Sequence, residues 1–290
     1  MMTGMDFFRP KNLSETLKIL DQPGKKSLII AGGTDIIPGL HQASERFCQA
    51  RRLIAIDHLH ELNTMIKRKT YIEIGAAVNF TRLAADPVVR QHLPLLSDAA
   101  SRVGSVQIRN RATIAGNFIN NAPCADSLPP LLVYEARIRI RSVNGAYELP
   151  LSEILSGPYR TKLKSNELVT SVKVPVTGDG WTGAFYKLGR RRSIAVSRIS
   201  LAVLLKKRND HIDACRIACG AVTPVAVRLH NIENECTGQR PTPAFLKMLA
   251  RSLGNEILSI TGLRWSTSYK LPVIQQVFYQ LLTELAERRV

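Results

Sequence analysis

The segments of this chain best suited to chemistry are two runs of small residues that would bind through their backbone. Leu28, Ile29, Ile30, Ala31, Gly32, Gly33, Thr34 and Asp35 place two adjacent glycines after a short apolar run, then a hydroxyl and a carboxylate. Glycine lets main-chain N–H groups come close to a ligand, and successive N–H groups in a turn form a concave anion site. A pyrophosphate fits such a site; a plain tight turn between strand and helix is the other reading. The spacing differs from the three-glycine dinucleotide fingerprint and no glycine-lysine-serine/threonine phosphate loop occurs, so a nucleotide-binding Rossmann domain has no support. The second run begins Thr113, Ile114, Ala115, Gly116, Asn117 and continues to Asp126, again dense in small and hydrogen-bonding residues. Two such segments, about 80 residues apart, point to a ligand held between separate pieces of chain.

The elements that must position them follow from periodicity. Leu13, Leu17 and Leu20 recur at helical spacing behind Asn12, and residues 27–31 form a strand that enters the glycine pair. Residues 53–57 and 71–78 read as strands, 80–93 and 95–103 as helices. Ala136, Ile138 and Ile140 alternate with Arg137, Arg139 and Arg141, a strand with one wet face, and Asn144-Gly145 supplies a hairpin turn into a return strand over 147–151. A strand over 167–175 ends at Pro175, and the glycine-rich stretch that follows places a domain boundary near residue 178. Beyond it lie strands over 184–188, 200–206 and 213–222, then two helices. The last of these, 271–288, aligns Ile274, Val277, Phe278, Leu281, Leu282 and Leu285 on one face.

Composition bounds the rest. The 290 residues suffice for two cores, and 45% hydrophobic with 22% charged is ordinary for a globular protein. The net charge of +17 opens nucleic acid, an anionic surface, an acidic partner or a phosphorylated cofactor as contacts, although spread-out basic residues mostly solvate a surface. No zinc finger, basic helix or aromatic-basic interleaving supports nucleic-acid binding. The N-terminus shows no signal peptide, and no run reaches the roughly 20 apolar residues of a membrane span, so a cytoplasmic location is expected. Cys48, Cys124, Cys215, Cys219 and Cys236 are scattered, without the spacing of a disulfide framework, zinc site or iron–sulfur cluster, so no metal site is expected. Cys215 and Cys219 read as same-face packing in a strand.

With these residues in view the chain resembles a known family. Ala31-Gly32-Gly33-Thr34-Asp35 and Thr113-Ile114-Ala115-Gly116-Asn117, with Gln107-Ile108-Arg109-Asn110 upstream, Asp126-Ser127 downstream, Phe7-Phe8-Arg9-Pro10 at the start and Ser268-Tyr269 before the last helix, resemble the FAD-binding medium subunit of xanthine dehydrogenase and carbon monoxide dehydrogenase. The resemblance covers nearly the whole chain. It implies an α+β chain: over residues 1–177 a two-subdomain FAD-binding fold of the vanillyl-alcohol oxidase / p-cresol methylhydroxylase type, and over 178–290 a small α+β flavoprotein C-terminal domain.

It further implies that residues 28–35 wrap the FAD pyrophosphate, that 113–117 bond its phosphates and approach the flavin, and that Asp126 hydrogen-bonds FAD. Val169 and Lys187 match positions that contact the flavin ring or its edge, where a lysine would stabilise the anionic reduced form. Capping of the helix after Ser127 is the other reading of Asp126, and an exposed strand lysine that of Lys187. The implied activity is electron transfer with no catalytic acid or base in this chain: a large molybdopterin-binding subunit oxidises substrate, a small subunit with 2Fe-2S clusters relays electrons, and FAD passes them to NAD or another acceptor, in a dimer of heterotrimers. The family usually has a glycine where this chain has Ala115, which puts FAD affinity at issue. A self-contained flavin oxidase or reductase, a basic nucleic-acid-binding protein and a scaffold that has lost FAD are the alternatives.

Overall fold

The computed structural model describes residues 4–191 and 195–288. The chain opens with β1 (Asp6–Phe8), α1 (Leu13–Asp21), β2 (Ser27–Ile30), α2 (Ile36–His41) and β3 (Arg52–Ala55). Asn12 caps α1 by accepting the Glu15 N–H at 2.9 Å, and α1 buries Leu13, Leu17 and Leu20 against Ile54 and Ile56. The three strands form a parallel sheet in the order β1-β3-β2. The glycine pair therefore leaves the carboxyl end of a parallel strand, the edge at which open α/β sheets bind ligands.

A second unit follows with β4 (Met65–Lys67), β5 (Tyr71–Gly75), α3 (Phe80–Ala85), α4 (Pro87–His92), α5 (Pro94–Ser101), α6 (Val106–Arg111), α7 (Ile114–Asn120) and α8 (Leu128–Val133). It is completed by β6 (Arg137–Ser142), β7 (Gly145–Pro150), α9 (Leu151–Ile154), β8 (Leu155–Gly157), β9 (Arg160–Thr161) and β10 (Leu168–Pro175). Five strands pair as β4-β5-β10-β6-β7. Ile138 and Ile140 are buried while Arg137, Arg139 and Arg141 are exposed, the alternation expected of a half-wet strand.

The third unit holds β11 (Trp181–Gly189), β12 (Ser197–Arg208), β13 (His211–Gly220), β14 (Val227–Arg228), α10 (His230–Cys236), α11 (Pro243–Thr261) and α12 (Thr267–Glu287). Its four strands pair in chain order. Successive residues of β12 enter different cores: Ala202 and Leu204 join the core of the second unit, whereas Leu201, Val203 and Leu205 pack with α11 and α12. Burial on both faces explains why 200–206 reads as a nearly continuous apolar run. Cys215 and Cys219 are buried in the latter core. Arg216 and Arg228 of this unit reach Glu135, behind α8, at 3.0 Å each.

Four expectations need correction. The helix over 80–93 is two helices, because Asp86 takes an extended conformation before Pro87 and caps α4 through Val88 and Val89 N–H; a proline disfavours helical backbone in the residue before it. The hairpin turns at Val143-Asn144, and Gly145, at φ +136°, already opens the return strand opposite Ser142. Three helices close the chain, since α10 precedes the two expected. The last begins at Thr267 with Pro272 inside it, and buries the six apolar residues predicted for its face. Among the described residues no helix is long and apolar enough to cross a membrane, and no group of three or more His, Cys, Asp or Glu is placed to hold a metal.

Candidate functional site

Gly32 is where the two small-residue segments meet. A Cβ added there would lie 2.0 Å from the carbonyl oxygen of Arg111 and 2.9 Å from the Ala112 Cα, so backbone rests directly on backbone. Gly33 follows at φ +72°, a conformation that L side chains adopt at a cost of about 1–2 kcal/mol. This turn leads into α2, whose Ile37 N–H donates to the Gly33 carbonyl at 2.9 Å. Among the described residues, the N–H groups of Gly32, Gly33, Thr34 and Asp35 donate to no protein acceptor. Four consecutive donors around a left-handed glycine, three of them on half-buried residues and the last on the exposed Asp35, form an anion nest. Leu28, Ile29 and Ile30 supply the strand behind it, and Ala31 the exit from that strand.

The second segment is organised differently. It is helical from Ile114, with Thr113 as N-cap accepting the Gly116 N–H at 3.2 Å. Ile114 N–H donates to Val78 at 2.9 Å, Ala115 N–H to Ala76 at 3.2 Å and Asn117 N–H to Thr113 at 3.0 Å. The backbone donors of this turn are therefore spent on the protein, Thr113 is itself buried, and what the turn offers a ligand is the half-buried side chain of Asn117. Asn117 Oδ1 accepts from Ser127 at 2.7 Å. One residue past α7, Asn121 is fully buried at φ +46° and donates to the carbonyls of Gly157 and Arg160, while its Oδ1 has no protein partner.

The Ala115 methyl is buried in the second unit's core, on a helical backbone, so it crowds no anion site. Ala115→Gly is expected to leave FAD affinity unchanged. It should cost about 1 kcal/mol of stability from helix propensity, and a similar amount from the buried methyl, as read by denaturant unfolding.

Asn120 ties the segments together, since its Nδ2 donates to Asp35 Oδ1 at 3.0 Å and its Oδ1 accepts from Arg46 at 2.5 Å. Arg46 in turn lies 4.3 Å from the Tyr159 ring centroid and 5.0 Å from that of Phe47. Sequence reading missed Asn120, Arg46 and Tyr159; the nearest signal was the asparagine pair at the end of the second run.

Asp126 and Lys187 meet in a buried ion pair of 2.6 Å. Lys187 Nζ also donates to the Arg102 carbonyl at 2.7 Å, and Ser197 donates to the other carboxylate oxygen of Asp126. The alternative readings of both residues fail here. The Lys187 side chain is only 8% exposed, and α8 begins at Leu128 behind Ser127, without a side-chain cap from Asp126. Burial pushes the Asp126 carboxyl up, against the pull of Lys187 and Ser197. Cys124 feels both segments: burial raises its thiol most, Asp126 and then Asp35 add to this, and Lys187 opposes them. Val169 stands apart from these polar groups, its side chain in the core beside a β-bulge of β10, on a strand that packs against α7.

The family described as FAD binding domain in molybdopterin dehydrogenase matches residues 3–177. The chain belongs to this family. Residues 184–285 match the CO dehydrogenase flavoprotein C-terminal domain. The chain is 29% identical to the putative xanthine dehydrogenase FAD-binding subunit of Escherichia coli (strain K12), over 96% of this chain and 94% of that one. It is 28% identical to the carbon monoxide dehydrogenase medium chain of Hydrogenophaga pseudoflava, over 96% and 95%. A solved carbon monoxide dehydrogenase from Hydrogenophaga pseudoflava superposes with a TM-score of 0.89 at 27% identity, covering 97% of this chain and 96% of that one. Quinoline 2-oxidoreductase from Pseudomonas putida 86, at 22% identity and a TM-score of 0.86, shares the fold. A member of this flavoprotein family binds FAD, and the free N–H groups of Gly32 to Asp35 suit its pyrophosphate.

Proposed function

We propose that this chain is the FAD-carrying electron-transfer subunit of a cytoplasmic molybdenum hydroxylase. Electrons leave substrate at a large molybdopterin-binding subunit, cross the 2Fe-2S clusters of a small subunit, reach FAD here and pass to NAD or another acceptor, in a dimer of heterotrimers. When bound, FAD supplies the ability to take electrons singly and release them in pairs. Residues 1–177 form the FAD-binding domain and 178–290 the C-terminal domain.

The observation that carries this reading is the unspent anion nest of Gly32, Gly33, Thr34 and Asp35, backed onto Arg111 and Ala112 through Gly32. It receives the pyrophosphate. The side chain of Asn117, on the turn that Thr113 caps, would meet the phosphates, and the Asp126–Lys187 pair would order the flavin end, with Val169 supporting it from the core. A buried ammonium at that end favours negative charge on the reduced ring. Among the described residues, neither Asp126 nor Lys187 is left without a partner to act as acid or base on a substrate.

The test is reduction of bound flavin. Chain reconstituted with FAD should keep its yellow absorbance when mixed with purines, aldehydes or N-heterocycles, and bleach only when the small and large subunits are added. Bleaching by the isolated chain would instead make it a self-contained oxidase.

A further inference from the structure

Arg190, Arg191, Arg198 and Lys270 line a groove of about 410 Å³ together with Val196 and Trp265. Among the described residues no Asp or Glu pairs with any of these four cations, nor with Arg264 beside them. Two of them are also held in place: Lys270 Nζ donates to the Ala221 carbonyl at 2.7 Å, and Arg198 lies 5.8 Å from the Tyr269 ring centroid. Burial, then Arg198 and Arg264, lower the Lys270 ammonium from its usual range. Like charges fixed together repel, and an anionic partner offsets that repulsion.

The rim of the groove is apolar. Trp265 is 86% exposed and Val196 73%, and Leu263, two residues before Trp265 in the chain, is 87% exposed. A small anion would engage the guanidinium groups and leave these three in water. A protein surface covers both, and arginine beside exposed aromatic side chains is the composition of interface hot spots. The groove also borders the flavin end of the site, because its Ser197 donates to Asp126, the partner of Lys187.

We propose that this groove and its rim dock an acidic electron-carrier protein, which takes electrons from the flavin site. The inference rests on the FAD reading above. The two-electron-reduced, anionic flavin would serve two one-electron carriers in turn; each oxidised centre gains one electron, and the single proton carried by that reduced flavin passes to water.

Cytochrome b5, an acidic haem protein, is the probe, and basic cytochrome c the charge control. Full-length chain, with FAD verified by absorbance, is titrated with each protein calorimetrically, then reduced with dithionite and mixed anaerobically to follow haem reduction. Cytochrome b5 should bind and be reduced, with affinity falling about tenfold or more as salt rises from roughly 50 to 200 mM, within the range where screening takes hold. Charge reversal of Arg190, Arg191 and Arg198 to Glu should weaken binding by a further tenfold or more with FAD absorbance retained, and Trp265→Ala by about tenfold. Cytochrome c should do neither.

Unchanged binding in the charge-reversed chain overturns the proposal. So does displacement of cytochrome b5 by NAD at the same groove, which would make it a small-anion site, or failure of the variant to assemble with its partner subunits, which would make it an interface within the complex. Loss of FAD alone indicts the flavin reading, because calorimetry on FAD-free chain still decides the docking.

Discussion

Gly32→Ala is expected to lower FAD affinity at least ~100-fold, equivalent to about 2.7 kcal/mol, in a chain that still folds. The added methyl would sit 2.0 Å from the Arg111 carbonyl oxygen and 2.9 Å from the Ala112 Cα, and neither atom belongs to a side chain that could swing aside. Ala112 is anchored, since its own carbonyl accepts the Phe80 N–H at 3.1 Å and its N–H donates to Ile108 at 2.7 Å. The element free to move is the glycine turn, and moving it scatters the four donors that form the nest. Fluorescence titration of FAD, beside a circular dichroism spectrum, reads the two effects separately. Wild-type affinity in this variant would mean that the nest is not the phosphate site.

Lys187→Met should be the most destabilising single change at the flavin end. It strips the ammonium from a buried carboxylate and leaves Asp126 with only Ser197, and breaking a buried pair by removing one partner costs about 3–5 kcal/mol. The pH dependence has a defined sign. Asp126 holds its proton to higher pH in the folded chain than in the unfolded one, so its contribution to stability is greatest below the ordinary carboxylate range and falls as pH climbs through the raised value. Without Lys187 the carboxyl rises further, and the fall in stability should extend to higher pH. Asp126→Asn should abolish that fall. Urea unfolding of the three proteins at a series of pH values measures it. A wild-type profile indistinguishable from that of Asp126→Asn would show that the carboxyl does not titrate in this way.

The elements legible in the sequence were those governed by local periodicity. The alternation around Ile138 and Ile140 and the apolar face of α12 are carried by side-chain types at fixed spacing. The break at Asp86-Pro87 was legible in principle, because a proline within a helical pattern is a stop signal. At the site, residue types revealed two glycine-bearing segments but not their division of labour. Which backbone donors are free depends on pairing across the chain: the Asn79–Thr113 bridge and the Val78 and Ala76 carbonyls consume those of α7, and nothing near Thr113 in sequence announces it. The link from Asp35 through Asn120 to Arg46 spans more than 80 residues and has no local signature either. Ala115 looked like a threat to the cofactor only until its neighbours in the core were known.

The two-faced burial of β12 bears on how this chain can be cut and recombined. A fragment ending near residue 177 would lose Phe185, Ala202, Leu204 and Ala218, which are built into its core, and would bare an apolar surface where they had been. The complementary fragment would carry the same residues outward into water. Neither half is a transferable module, so a chimaera that grafts the C-terminal part of one relative onto the N-terminal part of another must match the packing across that sheet as well as the splice point.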